Sequence, residues 1–268
     1  MEDVVNAILL GIVEGLTEFL PVSSTAHLLL FQDFLGFQPP GAVFPIVIQF
    51  GAILSVVVVY WGKLRDVTVG LRTDPDARRF VLGVTVAFLP AAFVGALLHS
   101  FIKEVLFAAD VAPYVIATTL ISGGIFILIF ERIAPPPRYL DGDRLPLKKC
   151  FQIGLCQVLA IIPGVSRSGA TILGGQLLGV DRKAAALFTF YLAVPTMFGA
   201  SVFDIYQNWA LLDFDTALII LVGFTVSFAV AYIVVKTFIA FIGRYGLAPF
   251  GWYRIVAGGL ILIIMYTS

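Results

Sequence analysis

Glu14-Gly-Leu-Thr-Glu18-Phe-Leu-Pro21-Val-Ser23-Ser24-Thr25-Ala26-His27 sets two carboxylates, three consecutive hydroxyls and an imidazole in a run that is otherwise apolar. A second stretch, Pro163-Gly164-Val165-Ser166-Arg167-Ser168-Gly169-Ala170-Thr171, does the same with an arginine and more hydroxyls. Ionisable side chains at membrane depth are costly, so they are functional candidates by default. Each stretch is broken by Pro or Gly, as in a helix interrupted where its backbone must face a polar ligand.

Composition says why membrane depth is the right frame. The 268 residues are 60% hydrophobic and only 13% charged, with a mean hydropathy of +1.01. A soluble domain of this size could not hide that much apolar side chain. The zero net charge excludes a basic surface for nucleic acid, so no nucleic-acid partner is expected. The amino-terminal residues do not read as a secretory leader, because Glu2 and Asp3 stand where a basic region belongs. Cys150 and Cys156, with five residues between them on an apolar stretch, read as small packing residues.

The fold expected is an all-α polytopic membrane protein of one domain, with six transmembrane helices and two re-entrant helical hairpins. Spans are predicted at about 42–61, 80–102, 112–131, 185–206, 216–242 and 252–267. The segments 4–36 and 149–180 are apolar at both ends and polar in the middle, which predicts hairpins that enter and leave on one side. Loop charge supports this count. Lys63, Arg65, Arg72, Arg78 and Arg79 lie in 62–79, and Arg132, Arg138, Arg144, Lys148 and Lys149 in 132–149. Arg182 and Lys183 follow the second hairpin, whereas 103–111 offers only Lys103 and 207–215 no basic residue. Six spans put every basic loop on one face, the cytoplasmic one, with both termini outside.

The halves also resemble each other. A shift of 143 lays Gly11 on Gly154, Glu14 on Gln157, Val22 on Val165, Ser23 on Ser166 and Gly36 on Gly179. One hairpin and three spans per half make an odd number of crossings. The chain is therefore expected to hold two inverted repeats, about 1–133 and 149–268, joined by a cytoplasmic loop.

The motifs supply the parts of a phosphate site. Glu14 and Glu18 are spaced i, i+4 and share a helix face. Two such carboxylates in a low dielectric need a bridging cation or a shared proton. Hard oxygen ligands suit Mg²⁺ or Ca²⁺, so Glu14 and Glu18 are the candidate metal ligands. Ser23, Ser24 and Thr25 follow the Pro21 break and offer hydroxyls and amides to an anion. His27 stands one turn beyond Ser24, a nucleophile–base spacing. Arg167 can clamp phosphate through two parallel hydrogen bonds. Gly164 and Gly169 let the backbone approach the ligand, while Ser166, Ser168 and Thr171 add hydroxyls. A metal, a phosphate clamp, a hydroxyl and a base in an apolar cavity point to lipid phosphate chemistry or transport.

Together the two motifs closely resemble the undecaprenyl-diphosphate phosphatase family, the BacA type, as do Gln49-Phe-Gly-Ala-Ile-Leu54 and Leu192-Ala-Val-Pro195. The resemblance implies hydrolysis of undecaprenyl diphosphate to the monophosphate carrier of cell-wall assembly, with a divalent cation. It also implies a bacterial inner-membrane location, an outward-facing site and bacitracin tolerance. On the matching positions it makes Glu14 and Glu18 the acidic motif, Ser24 the nucleophile and His27 its partner. Ser166, Arg167 and Thr171 become the diphosphate-binding motif. A metal-activated water is the rival nucleophile, and a polyprenyl-phosphate flippase with the same head-group site the alternative function. The expected partners are a polyprenyl diphosphate and membrane lipids, with a homodimer as the candidate assembly. One departure stands out: Ala26 replaces a family glycine. If that position needs a positive φ, alanine strains it by roughly 1 kcal/mol; if it is a close-packing position, a methyl is tolerated.

Overall fold

The computed structural model describes residues 2–37, 43–108, 110–208 and 217–267. The predicted 42–61 span is therefore seen from Val43 on. The predicted connection 207–215 lies outside the described residues from 209 on, as does Ala109 of the 103–111 connection.

The regular structure among the described residues is all helical, apart from one isolated bridge between Tyr139 and Val180. The first motif separates α1 (Glu2–Thr17) from α2 (Ser24–Phe34), and these two helices pack on each other. Then come α3 (Val43–Val59), α4 (Trp61–Gly70) and α5 (Pro75–Leu97). A one-turn α6 (His99–Phe101) and a π turn lead to α7 (Ala112–Ile133). The second motif lies between α8 (Leu147–Val158) and α9 (Arg167–Leu177), which also pack together. Three long helices close the chain: α10 (Arg182–Asn208), α11 (Ala217–Tyr245) and α12 (Ala248–Thr267).

Helix ends follow local chemistry. Asp74 caps α5 by accepting from the Asp76 amide at 2.8 Å, and Pro75 behind it has no amide to leave orphaned. This cap starts the helix before the predicted residue 80, because capping outweighs the charges of Arg78 and Arg79. Asp181 caps α10 in the same way, taking the Lys183 amide at 2.9 Å. Where a basic loop is expected after α3, the chain instead forms α4, a helix bent 72° from α3. Its Lys, Leu and Arg are good helix formers, and Arg65 and Asp66 are exposed.

Among the described residues five helices, α5, α7, α10, α11 and α12, are long and apolar enough to cross a membrane, and α3 with α4 is apolar enough only when the bent pair is taken together. The chain is a multi-pass membrane protein.

The helices pack as two compact units. One comprises Met1–Phe19, Ser24–Asp66 and Ala193–Phe238. Its core joins Ala7, Leu10, Leu28, Phe37, Phe44 and Ile48, with Phe37 edge-on to Phe44 at 5.9 Å. Here α1 runs so close to α11 that a methyl on Gly11 would sit 2.7 Å from the Gly223 carbonyl. Helix α3 presses Ile48 and Phe44 onto Gly223, and the Ser227 hydroxyl donates to the Ile48 carbonyl at 2.7 Å.

The other unit comprises Leu20–Ser23, Val67–Leu192 and Ile239–Ser268. In it α5 packs on α8, where the carbonyl of Ala87 meets Gly154, and α7 lies along α12. Phe80 of α5 meets Tyr191 of α10 edge-on at 5.0 Å. Glu131 ties three elements by pairing with Arg182 at 2.7 Å and accepting from the Leu247 amide at 2.9 Å. Cys150 is buried with Cys156 two turns on, and both are free thiols in helix contacts, as expected of packing residues.

Candidate active site

In the first unit, Glu14 is wholly buried on the last turn of α1, and Glu18 follows just past its end, 7% exposed. The Glu18 amide still donates to the Glu14 carbonyl at 3.0 Å. The helical spacing read from the sequence thus carries through the break. Ser24 opens α2, and its hydroxyl donates a short hydrogen bond to Glu18 Oε2. The predicted partner, His27, is buried one turn further along α2, but the hydroxyl is directed to the carboxylate. Phe19 and Ala26, both fully buried, keep this group out of bulk water.

Ala26 lies in the first turn of α2, where φ is negative, so the strain alternative falls away and close packing remains. The strained residue is Ser23, at φ 72 the sole non-glycine with positive φ among the described residues. A left-handed L-residue costs about 1–2 kcal/mol, and such strain gathers at functional sites. The two motifs, laid on each other by the 143-residue shift of sequence, turn at different places. In the second motif the left-handed residue is Gly164, at φ 82. Its counterpart in the first motif is Pro21, whose ring forbids positive φ. The turn is made two residues later instead, on Ser23.

The second unit holds both Leu20–Ser23 and the whole second motif. Ser166 caps α9, taking the Gly169 amide at 3.1 Å. Ser168 donates to the Leu20 carbonyl at 2.7 Å, Ser166 to the same oxygen at 3.2 Å, and the two hydroxyls lie 2.9 Å apart. Thr171 donates back to the Arg167 carbonyl at 2.9 Å and accepts from Thr189 at 2.8 Å. These hydroxyls, expected to meet the ligand, are engaged in holding the break of the first motif and the first turns of α9. Thr25 is half-buried on α2, and Arg167 is half-buried as the first residue of α9. Gly164 fits against α7, where the Thr119 hydroxyl donates to the Pro163 carbonyl at 2.7 Å.

Sequence reading missed two contributors, Thr119 and Arg254. Arg254 is 3% exposed in α12 and donates to four backbone carbonyls. The signal was present, an arginine within a predicted span, but a cation near the start of an apolar run reads as snorkelling to the surface.

The oxygen-only donor set of Glu14, Glu18 and Ser24 fits a hard divalent cation. Among the described residues no group of three His, Cys, Asp or Glu could hold a metal. A cation here would therefore take its remaining ligands from water and phosphate, as Mg²⁺ commonly does.

The family described as "Bacitracin resistance protein BacA" matches residues 7–260. Undecaprenyl-diphosphatase 1 of Agrobacterium fabrum is 51% identical over 264 residues, 98% of this chain and 97% of the relative. The undecaprenyl-diphosphatase of Phenylobacterium zucineum is 52% identical over 263 residues, covering 98% of each chain. That of Caulobacter vibrioides is 48% identical over 266 residues, 99% of each.

Proposed function

Because this chain belongs to the BacA family of bacitracin resistance proteins, we propose that it hydrolyses undecaprenyl diphosphate to undecaprenyl phosphate and inorganic phosphate. Relatives of that named activity cover nearly its whole length at about half identity. The observation that carries the reading is the buried hydrogen bond from the Ser24 hydroxyl to the Glu18 carboxylate at the start of α2. A serine whose hydroxyl donates to a carboxylate has a base in place to take its proton as it attacks.

The chemistry follows from that bond. The Ser24 oxygen attacks the terminal phosphorus while its proton passes to Glu18. The bond from that phosphorus to the bridging oxygen breaks, and undecaprenyl phosphate leaves. Glu18 gives that proton up to the departing oxygen and is a carboxylate again; water then attacks the phosphoserine, passing a proton to Glu18, and Ser24 takes this proton as phosphate leaves. His27, buried one turn from Ser24, is the candidate relay for the protons that the departing oxygens require. In the second unit, Arg167 and the amides at the start of α9 are the candidate ligands for phosphate oxygens. Glu14 and Glu18 would hold a divalent cation, which supplies charge neutralisation for the phosphate oxygens.

The site faces outward from a bacterial inner membrane, and the two helix pairs α1–α2 and α8–α9 are re-entrant. Paired contacts favour the inverted repeat. Under the shift of 143, α1 maps onto α8 and α11 onto α5, and α1 packs on α11 as α8 packs on α5. Ile48 on Gly223 likewise maps onto Tyr191 on Phe80.

The test is phosphate release from undecaprenyl diphosphate by purified protein in detergent, with Mg²⁺ or Ca²⁺ and with EDTA. Metal-dependent release that Arg167→Ala abolishes supports the reading. A well-folded sample that releases no phosphate with either metal refutes it.

A further inference from the structure

We infer that Arg254 is a positioning residue for this hydrolysis, one guanidinium holding the break points of both motifs. The inference rests on the phosphatase reading and extends it to a residue outside either motif. From α12, Arg254 Nη1 donates to the Pro21 carbonyl at 3.1 Å, and Nη2 to the Gly164 carbonyl at 3.0 Å. Nη2 also donates to the Thr119 carbonyl at 2.9 Å, and Nε to that of Leu120 at 3.4 Å. Pro21 lies in the break between α1 and α2, and Gly164 in the break between α8 and α9.

Three observations separate this from an arginine that merely packs. First, no carboxylate pairs with Arg254 among the described residues, so carbonyl dipoles alone offset a buried charge. An unpaired buried cation is expensive, and an apolar side chain would serve stability as well or better. Second, α7 makes room for it: a methyl on Gly123 would collide with Nη2 and lie 3.0 Å from Cζ. Third, the neighbouring Leu20 carbonyl is gripped by Ser166 and Ser168. Two successive carbonyls of the first motif, those of Leu20 and Pro21, are thus fastened just ahead of Val22 and the strained Ser23. Strain of that kind persists only where the surroundings over-determine the backbone. The planar fork matters, because an ammonium has three donors at one point and cannot span these four oxygens.

The experiment uses the full chain in detergent, comparing wild type with Arg254→Lys, Arg254→Met and Gly123→Val. The last displaces the guanidinium without removing its charge. Thermal unfolding selects the variants that fold. Among those, kcat should fall about a hundredfold, the cost of misplacing reacting groups by about an ångström. KM should move by less than about threefold. Amide hydrogen exchange should rise about tenfold in 20–27 and 163–171 together, with α5 unchanged. A folded Arg254→Lys that keeps wild-type kcat would overturn the inference. So would exchange that rises in only one of the two loops, or in neither. If wild type releases no phosphate, the hydrolysis reading fails, while coupled exchange in both loops would still establish Arg254's hold on them.

Discussion

Gly164→Ala and Gly36→Ala form a pair that separates backbone strain from packing. Both glycines are left-handed, at φ 82 and φ 58. A methyl on Gly36 would meet nothing within 4 Å, whereas one on Gly164 would strike the Thr119 hydroxyl and lie 2.9 Å from the Ile116 carbonyl. The left-handed cost of about 1–2 kcal/mol applies to both. It is offset in both by about 0.4–1 kcal/mol, because alanine also restricts the unfolded chain. Gly36→Ala should therefore cost about 1 kcal/mol or less. Gly164→Ala adds an overpacking cost of about 1–3 kcal/mol and should total about 1–5 kcal/mol. Reversible unfolding in mixed micelles, titrated with SDS, reads the difference. Equal losses for the two variants would refute the claim that α7 braces the second motif, and so would a neutral Gly164→Ala.

Glu18→Gln removes the acceptor of the Ser24 proton. It should lower kcat by about a hundredfold to ten-thousandfold in a phosphate-release assay, without lowering the unfolding temperature. Ser168→Ala removes the 2.7 Å bond to the Leu20 carbonyl, which keeps the longer one from Ser166 and the 2.8 Å one from the Val22 amide. It should cost about 1 kcal/mol, read by the same SDS titration. Chelation with EDTA should abolish turnover, and added Mg²⁺ or Ca²⁺ should restore it, since two buried carboxylates need a counter-charge to admit a diphosphate. Turnover unchanged in EDTA would remove the metal from the account.

What could be read beforehand was what the chain states locally. Pro21 and Pro163-Gly164 mark the breaks because ring and missing side chain act on their own residues. The i, i+4 carboxylates share a helical turn for the same reason. What could not be read depended on partners distant in sequence. Ser166 and Ser168 donate to the Leu20 carbonyl, a partner more than a hundred residues away that no local reading shows. Ser24 has both His27 and Glu18 within reach along the chain, and only the geometry of the break selects Glu18. Arg254 is a lone cation in an apolar helix, and its four acceptors come from three separate segments. The left-handed Ser23 needed the geometry of both breaks, because Pro21 cannot adopt the positive φ that Gly164 takes in the second motif.

The most direct measurement is phosphate release from undecaprenyl diphosphate by Ser24→Ala beside wild type, at saturating substrate and metal. The account predicts a loss of about a thousandfold or more, with binding of a non-hydrolysable diphosphate lipid largely kept. Ser24→Ala turning over at a substantial fraction of the wild-type rate would contradict it and hand the nucleophile's role to water.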